Sequence, residues 1–210
     1  NYIKNSEKKY KRMSRKNCKL FLGPKFYLME NYKSTINKKK IISIFLGGNT
    51  PKTLLEKILK IITSIKLKNY KIVIFLGVFN KNLFYLKNKY SDIKIQFRVQ
   101  ENYKNFFKVI SVSKFFFSSG GSTIIESMFL KAPTIAFLRT KNQLNNCINF
   151  SKEKLIFFNG KKINDDQIKL FIYNLLNEKE NYNKYLNRLD LFRKRNLKNN
   201  LAKVIFNEIK

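Results

Sequence analysis

Five small residues in a row, Ser118, Ser119, Gly120, Gly121 and Ser122, interrupt the apolar stretch "FFFSSGGSTIIESMFLKAPTIAFL". Small residues in a turn leave backbone N–H groups open, and between a strand and a helix such a turn is a place where proteins hold a phosphate. A second glycine pair, Gly47 and Gly48, closes the run "IISIFLGG" and is followed by Asn49. A diphosphate must come within hydrogen-bond reach of several N–H groups, and a Cβ at those positions stands in its way. Taken alone the turn is weak, because plain strand-to-helix connections use the same small residues. Thr123 and Glu126 carry two readings as well. Thr-x-x-Glu is a capping box, in which the carboxylate bonds a backbone N–H. A carboxylate one turn into a helix below a phosphate also accepts hydrogen bonds from a ribose diol.

Other chemistries are thinly represented. The sequence has no histidine, which removes the commonest general base, and its two cysteines, Cys18 and Cys147, lie far apart with no ligand-like spacing. Neither a disulfide framework nor an ordinary zinc site is supported, and no metal or cofactor is expected.

The elements that must position these turns are legible along the chain. "IISIFLGG" reads as a buried strand, Thr50 as the N-cap and Pro51 as the first turn of a helix whose stripe runs through Leu54, Leu55, Ile58, Leu59, Ile61, Ile62 and Ile65. "YKIVIFLG" is the next strand. The spacing then predicts a helix over 81–89, the strand "IKIQFRV", a helix over 103–111 and the strand "KFFFSS". After the small-residue turn come a helix over 123–129, the strand "TIAFL" and a helix beginning near Asn142. Beyond "KLIFF", Asn164 and Gln167 form a reciprocal capping pattern, and one or two amphipathic helices follow to Lys210. Strand and helix alternate with short connections. The economical architecture is α/β: a Rossmann-like parallel sheet with helices on both faces. Residues 1–40 form a basic connector, 41–180 the Rossmann-like domain, and 181–210 helices that pack back onto it. In an open parallel sheet ligands lie beyond the carboxyl ends of the strands, where both glycine turns fall.

The formal charge is +31, with 44 Lys and Arg against 13 Asp and Glu. The excess is almost entirely Lys, spread along the chain together with Asn, Ile, Phe and Tyr, whose codons are rich in A and T. Codon bias explains this without a partner, and no recognition-helix, RNP or zinc-finger signature accompanies the charge, which argues against nucleic acid. Only residues 1–40 are concentrated, with 13 basic residues against 2 acidic ones. A basic face can draw in an anionic small molecule or touch an acidic membrane surface. No apolar run approaches the roughly 20 residues of a membrane helix, and the expected location is cytoplasmic.

The segment "SSGGSTIIESMFLKAPTIAFL" followed by "KNQLNNC" resembles the donor-binding half of GT-B nucleotide-sugar enzymes. Two branches are similar: the family 28 glycosyltransferases and the UDP-sugar hydrolases of pseudaminic acid synthesis. The hydrolases are the nearer resemblance, because "FLGPKFYLMENYK" resembles their Gly-Pro connector and "IFLGGNTPKTLLEKIL" their Gly-Gly turn and helix. The resemblance implies that Gly47 and Gly48 approach a UDP-sugar, that Gly121, Ser122 and Thr123 hold its phosphates, and that Glu126 binds the ribose, with Asn49 and Gly120 counted among the substrate-binding residues. Asn142 and Gln143 would address the sugar. Lys131 stands where the pattern has Gly, and Asn49 where the hydrolases often have Asp. In both branches the catalytic groups sit largely on an N-terminal domain. The resemblance therefore implies the C-terminal half of a GT-B fold, part of a longer enzyme whose base lies on a partner domain of the same chain.

Overall fold

The fold rests on a five-stranded sheet in a computed structural model that describes residues 6–29, 34–65, 67–78, 80, 83–90, 95–100, 102–158, 160–197 and 205–207. The strands are β1 (Lys39–Phe45), β2 (Lys71–Leu76), β3 (Ile95–Val99), β4 (Ser113–Ser119) and β5 (Thr134–Phe137). All four pairings are parallel, in the order β3-β2-β1-β4-β5. Helices α1 (Ser6–Met13), α2 (Lys52–Ser64), α3 (Leu83–Lys89), α4 (Tyr103–Val112), α5 (Thr123–Phe129), α6 (Leu144–Lys152), α7 (Asp165–Asn177) and α8 (Lys179–Asn196) complete the described elements, with short 3-10 turns at Pro24–Phe26 and Lys141–Gln143.

The three successive phenylalanines of β4 explain why this strand lies inside the sheet rather than at an edge. Successive side chains of a strand face opposite ways, and Phe115, Phe116 and Phe117 are all fully buried, so β4 is covered on both faces. Phe115 and Phe117 sit beside Ile42 and Ile44 of β1 in the larger core, which α2, α6, α7 and α8 share. Phe116 joins the smaller core of Phe45, Phe75 and Phe106, the last from α4. Each such ring contributes on the order of 2 kcal/mol by leaving water. From α8, Phe192 packs against Phe129 of α5 and Phe150 of α6, with ring centroids 5.5 and 6.2 Å apart.

The α/β, Rossmann-like reading of the sequence holds, strand by strand. Some local expectations need correcting. Thr50 is not the N-cap of α2: its hydroxyl donates to the Gly47 carbonyl at 2.9 Å, and Pro51 takes the cap position. Residues near the start carry a helix, α1, braced by a Lys11–Glu7 ion pair one turn apart, where the sequence shows little pattern. A 3-10 turn intervenes before the helix expected near Asn142, which begins at Leu144. "KLIFF" touches the sheet through one parallel bridge, Phe157 to Ile135. Asn164 does cap α7, accepting the Gln167 N–H at 3.1 Å. The connector residues Glu30, Asn31, Tyr32 and Lys33, like Lys81, Asn82 and part of the tail after Leu197, lie outside the described residues.

Candidate functional site

The strand order creates one switch point. From β1 the chain moves outward through β2 to β3, then returns to place β4 on the other side of β1. Connections leave the adjacent ends of β1 and β4 in opposite directions, which opens a crevice beyond their carboxyl ends. Phe45 pairs with Ser118, so the glycine turns after β1 and β4 begin side by side.

The first turn is held in shape from two sides. Gly47 has φ of 96°, a region that favours glycine, and its carbonyl accepts from Thr50. Arg139, from the loop after β5, donates through Nη1 to the Leu46 carbonyl at 2.7 Å and through Nη2 to the Asn49 carbonyl at 2.8 Å. A Cβ on Gly47 would lie 2.5 Å from that Nη1. One built on Gly48 meets nothing within 4 Å among the described residues beyond its chain neighbours, so the space before it is open on that side. Behind the turn runs Gly77, where a Cβ would lie 2.2 Å from the Gly48 carbonyl oxygen. Gly77 is therefore glycine because two backbones touch. Asn49 is exposed.

In the second turn the glycines divide. Gly120 donates its N–H to the Phe137 carbonyl at 2.9 Å, and a Cβ there would lie 2.3 Å from Cys147 Sγ. It is a packing glycine, which lets α6 approach β4, and its N–H is spent on the sheet. The N–H groups of Gly121, Ser122 and Thr123 meet no acceptor among the described residues. They are the open donors at the start of α5. Ser119 Oγ ties the turns together: it lies 3.9 Å from the Cβ position of Gly47 and 3.9 Å from that of Gly121. Gln143 stands at the same place, its Nε2 3.6 Å from the Gly121 Cβ position and its Oε1 accepting the Arg139 N–H at 3.0 Å. Asn142 is exposed, and its Oδ1 accepts from the Thr140 hydroxyl.

Glu126 does not close a capping box. Ser122 is the N-cap of α5, with no side-chain cap bond, and Glu126 Oε1 instead accepts from the Tyr27 hydroxyl at 2.6 Å. Tyr27 also stacks on Phe129, centroids 6.3 Å apart, so the connector after Pro24 is clasped onto α5. Burial pushes the Glu126 carboxyl above the usual carboxylate range, and the Tyr27 bond works in the opposite direction. The phenol is raised by the same burial and by its carboxylate partner.

The structure thus brings Gly47, Gly48, Gly121, Ser122, Thr123 and Gln143 to the mouth of one crevice, with Asn49 and Asn142 exposed beside it and Glu126 one turn into α5. Sequence reasoning missed Arg139, Gly77 and Tyr27. A signal for Arg139 was present: it is one of seven arginines among 44 basic residues, and it lies between "TIAFL" and Gln143. Tyr27 meets Glu126 across 99 positions, which no local pattern reports.

No protein-family profile matches the sequence, and no curated protein does. Solved structures do. Spinosyn rhamnosyltransferase SpnG is 11% identical, with a TM-score of 0.60 over 85% of this chain and 46% of its own. MurG of Acinetobacter baumannii is 13% identical, with a TM-score of 0.55 over 76% of this chain and 46% of its own. The glycotransferase of kitacinnamycin is 16% identical, with a TM-score of 0.54 over 78% and 40%. The chain spans less than half the length of each of these structures. The likeness assigns the fold: a Rossmann-like α/β domain of the kind found in GT-B glycosyltransferases. Among the described residues no helix is long and apolar enough to cross a membrane.

Proposed function

We propose that the chain is the nucleotide-sugar-binding domain of a GT-B glycosyltransferase, and that the crevice between β1 and β4 receives the diphosphate of a UDP-sugar. The observation that carries this reading is the convergence of the two turns on Ser119 Oγ, with open N–H groups at Gly121, Ser122 and Thr123 and unfilled space before Gly48. One fold neighbour is an SpnG structure complexed with thymidine diphosphate, and another is a rice protein in complex with UDP, which supports a nucleoside diphosphate as the ligand class.

In this reading Gly47, Gly48 and Asn49 line the approach to the diphosphate. The N–H groups of Gly121, Ser122 and Thr123 hold its oxygens, while Gly120 keeps the turn close to α6. Glu126 turns its second oxygen, Oε2, to the ribose while Tyr27 holds the first. Asn142 and Gln143 address the sugar. Fixed N–H groups aimed at charge that grows on departing UDP stabilise the transition state without reorganising. Backbone donors and basic side chains balance the diphosphate, so no metal is invoked. The catalytic base is assigned to a partner domain of the same enzyme, and the reaction to the cytoplasm.

A UDP-sugar hydrolase of the pseudaminic acid type is the second reading, favoured by the connector. The Gly-Pro segment that resembles that branch's connector forms the 3-10 turn whose following Tyr27 clasps Glu126. Calorimetric titration at fixed ionic strength tests the shared claim: UDP should bind more tightly than pyrophosphate. Equal affinity would remove the nucleotide reading, and binding of DNA that collapses steeply with salt would favour a nucleic-acid module. Release of free sugar without acceptor, in the complete enzyme, would select the hydrolase.

A further inference from the structure

We infer that Arg139 is a positioning residue for the diphosphate, acting through the glycine turn it grips; this rests on the nucleotide site proposed above. A trans peptide points its N–H away from its C=O. The Leu46 and Asn49 carbonyls are pinned to the guanidinium, and the Gly47 carbonyl is pinned to the Thr50 hydroxyl. The N–H groups of Gly47, Gly48 and Thr50 therefore face away from these anchors, as a fixed set. A guanidinium does this where an ammonium cannot, because its planar fork presents two donors at the separation of two carbonyls.

The same side chain brings a full positive charge to the crevice. Among the described residues no carboxylate pairs with Arg139, and its Nη1 and the Ser119 hydroxyl both lie within 4 Å of the Gly47 Cβ position. Gly47 is glycine partly for this reason, since a Cβ would meet Nη1 at 2.5 Å. Gln143 fixes the base of the loop by accepting the Arg139 N–H. From one residue the turn after β1 is thus held in a fixed shape and a counter-charge is set beside it.

The test is titration of wild type, Arg139→Ala and Arg139→Lys with UDP, pyrophosphate and uridine, with thermal melting alongside. Arg139→Ala should weaken UDP and pyrophosphate by about tenfold or more and uridine by less than about threefold, the size of one charge-assisted contact. Arg139→Lys should recover part of the loss, since it restores the charge and not the bridge. Equal weakening of UDP and uridine would reduce Arg139 to a structural staple and overturn the inference, as would unchanged affinity for both diphosphates. If wild type binds pyrophosphate as well as UDP, the nucleotide reading fails, yet loss of pyrophosphate in Arg139→Ala still supports the role assigned to Arg139. A wild type that binds no anion overturns both. Should Arg139→Ala fail to fold, the lysine variant alone decides between partial loss and none.

Discussion

Replacing Gly48 with alanine separates what the first turn does for a ligand from what it does for the fold. Gly48 lies outside the left-handed region, and an added Cβ meets nothing within 4 Å among the described residues beyond its chain neighbours, so alanine should enter the folded chain without displacing them. Because alanine restricts the unfolded chain, it should stabilise by about 0.4–1 kcal/mol, a rise of at most about 4 °C in Tm for a chain of this size. The methyl would nevertheless stand in the space proposed for the diphosphate. Losing one charge-assisted N–H contact corresponds to about 1.5–3 kcal/mol, or roughly 10- to 100-fold in Kd. Gly77→Ala is the control. Its Cβ would press on the Gly48 carbonyl oxygen at 2.2 Å and on the Gly48 Cα at 2.5 Å, backbone atoms that cannot swing aside. The turn must move, at a cost of about 1–3 kcal/mol, and both Tm and affinity should fall. Differential scanning fluorimetry and UDP titration on the two variants provide the readout. Gly48→Ala that melts as wild type and binds UDP within about twofold of it would place the ligand elsewhere. A large fall in its Tm would refute the open space itself.

Three further perturbations follow from particular contacts. Tyr27→Phe removes a bond to a carboxylate and should cost about 1.5–3 kcal/mol in urea unfolding, whereas Glu126→Gln, which keeps an oxygen for Tyr27, should cost less stability but weaken UDP if the ribose meets Oε2. Gly120→Ala should destabilise by about 1–3 kcal/mol against Cys147, and pairing it with Cys147→Ala should return much of that loss, a non-additivity that a ligand-only role for Gly120 would not produce. Burial, and secondarily the charge of Lys131, pushes the Lys38 ammonium down to about 7 although it donates to the Ser111 and Leu130 carbonyls. The unfolded chain then holds a proton that the folded one releases, so stability should rise from pH 7 to 9, and Lys38→Met should flatten that rise in urea midpoints.

How much could be read in advance follows from what each feature depends on. The strands were legible because a parallel sheet buries both faces, and runs such as Phe115–Phe117 and "KIVIFL" have few other ways to leave water. The two glycine turns were legible because sequence order alone puts them after strands. What remained hidden was set by partners distant in sequence. Thr50 has every local mark of an N-cap, yet its hydroxyl goes to Gly47, three residues earlier, because the turn before it doubles back. Glu126 has the spacing of a capping box, and it loses that role to Tyr27, whose connector reaches α5 by tertiary packing. Gly120 carries the same glycine signal as Gly121 but owes it to Cys147.

Lys131 shows why a departure from a family pattern has to be located before it is weighed. In sequence it sits inside the segment that resembles a donor site, where glycine is usual, so it casts doubt on binding. In the fold it follows α5, at the end away from the crevice, a helix of seven residues or about 10 Å from Thr123. Its φ is 54°, which explains the glycine of the pattern: the chain must turn left-handed between α5 and β5, at a cost to lysine of about 1–2 kcal/mol. The side chain offsets that cost locally. Its ammonium pairs with Asp190 of α8, which also holds Lys194, and this pulls the Asp190 carboxyl below its usual range. The substitution therefore acts on how α8 is fastened to the sheet, and leaves the geometry of the two turns to Gly47, Gly121 and Arg139.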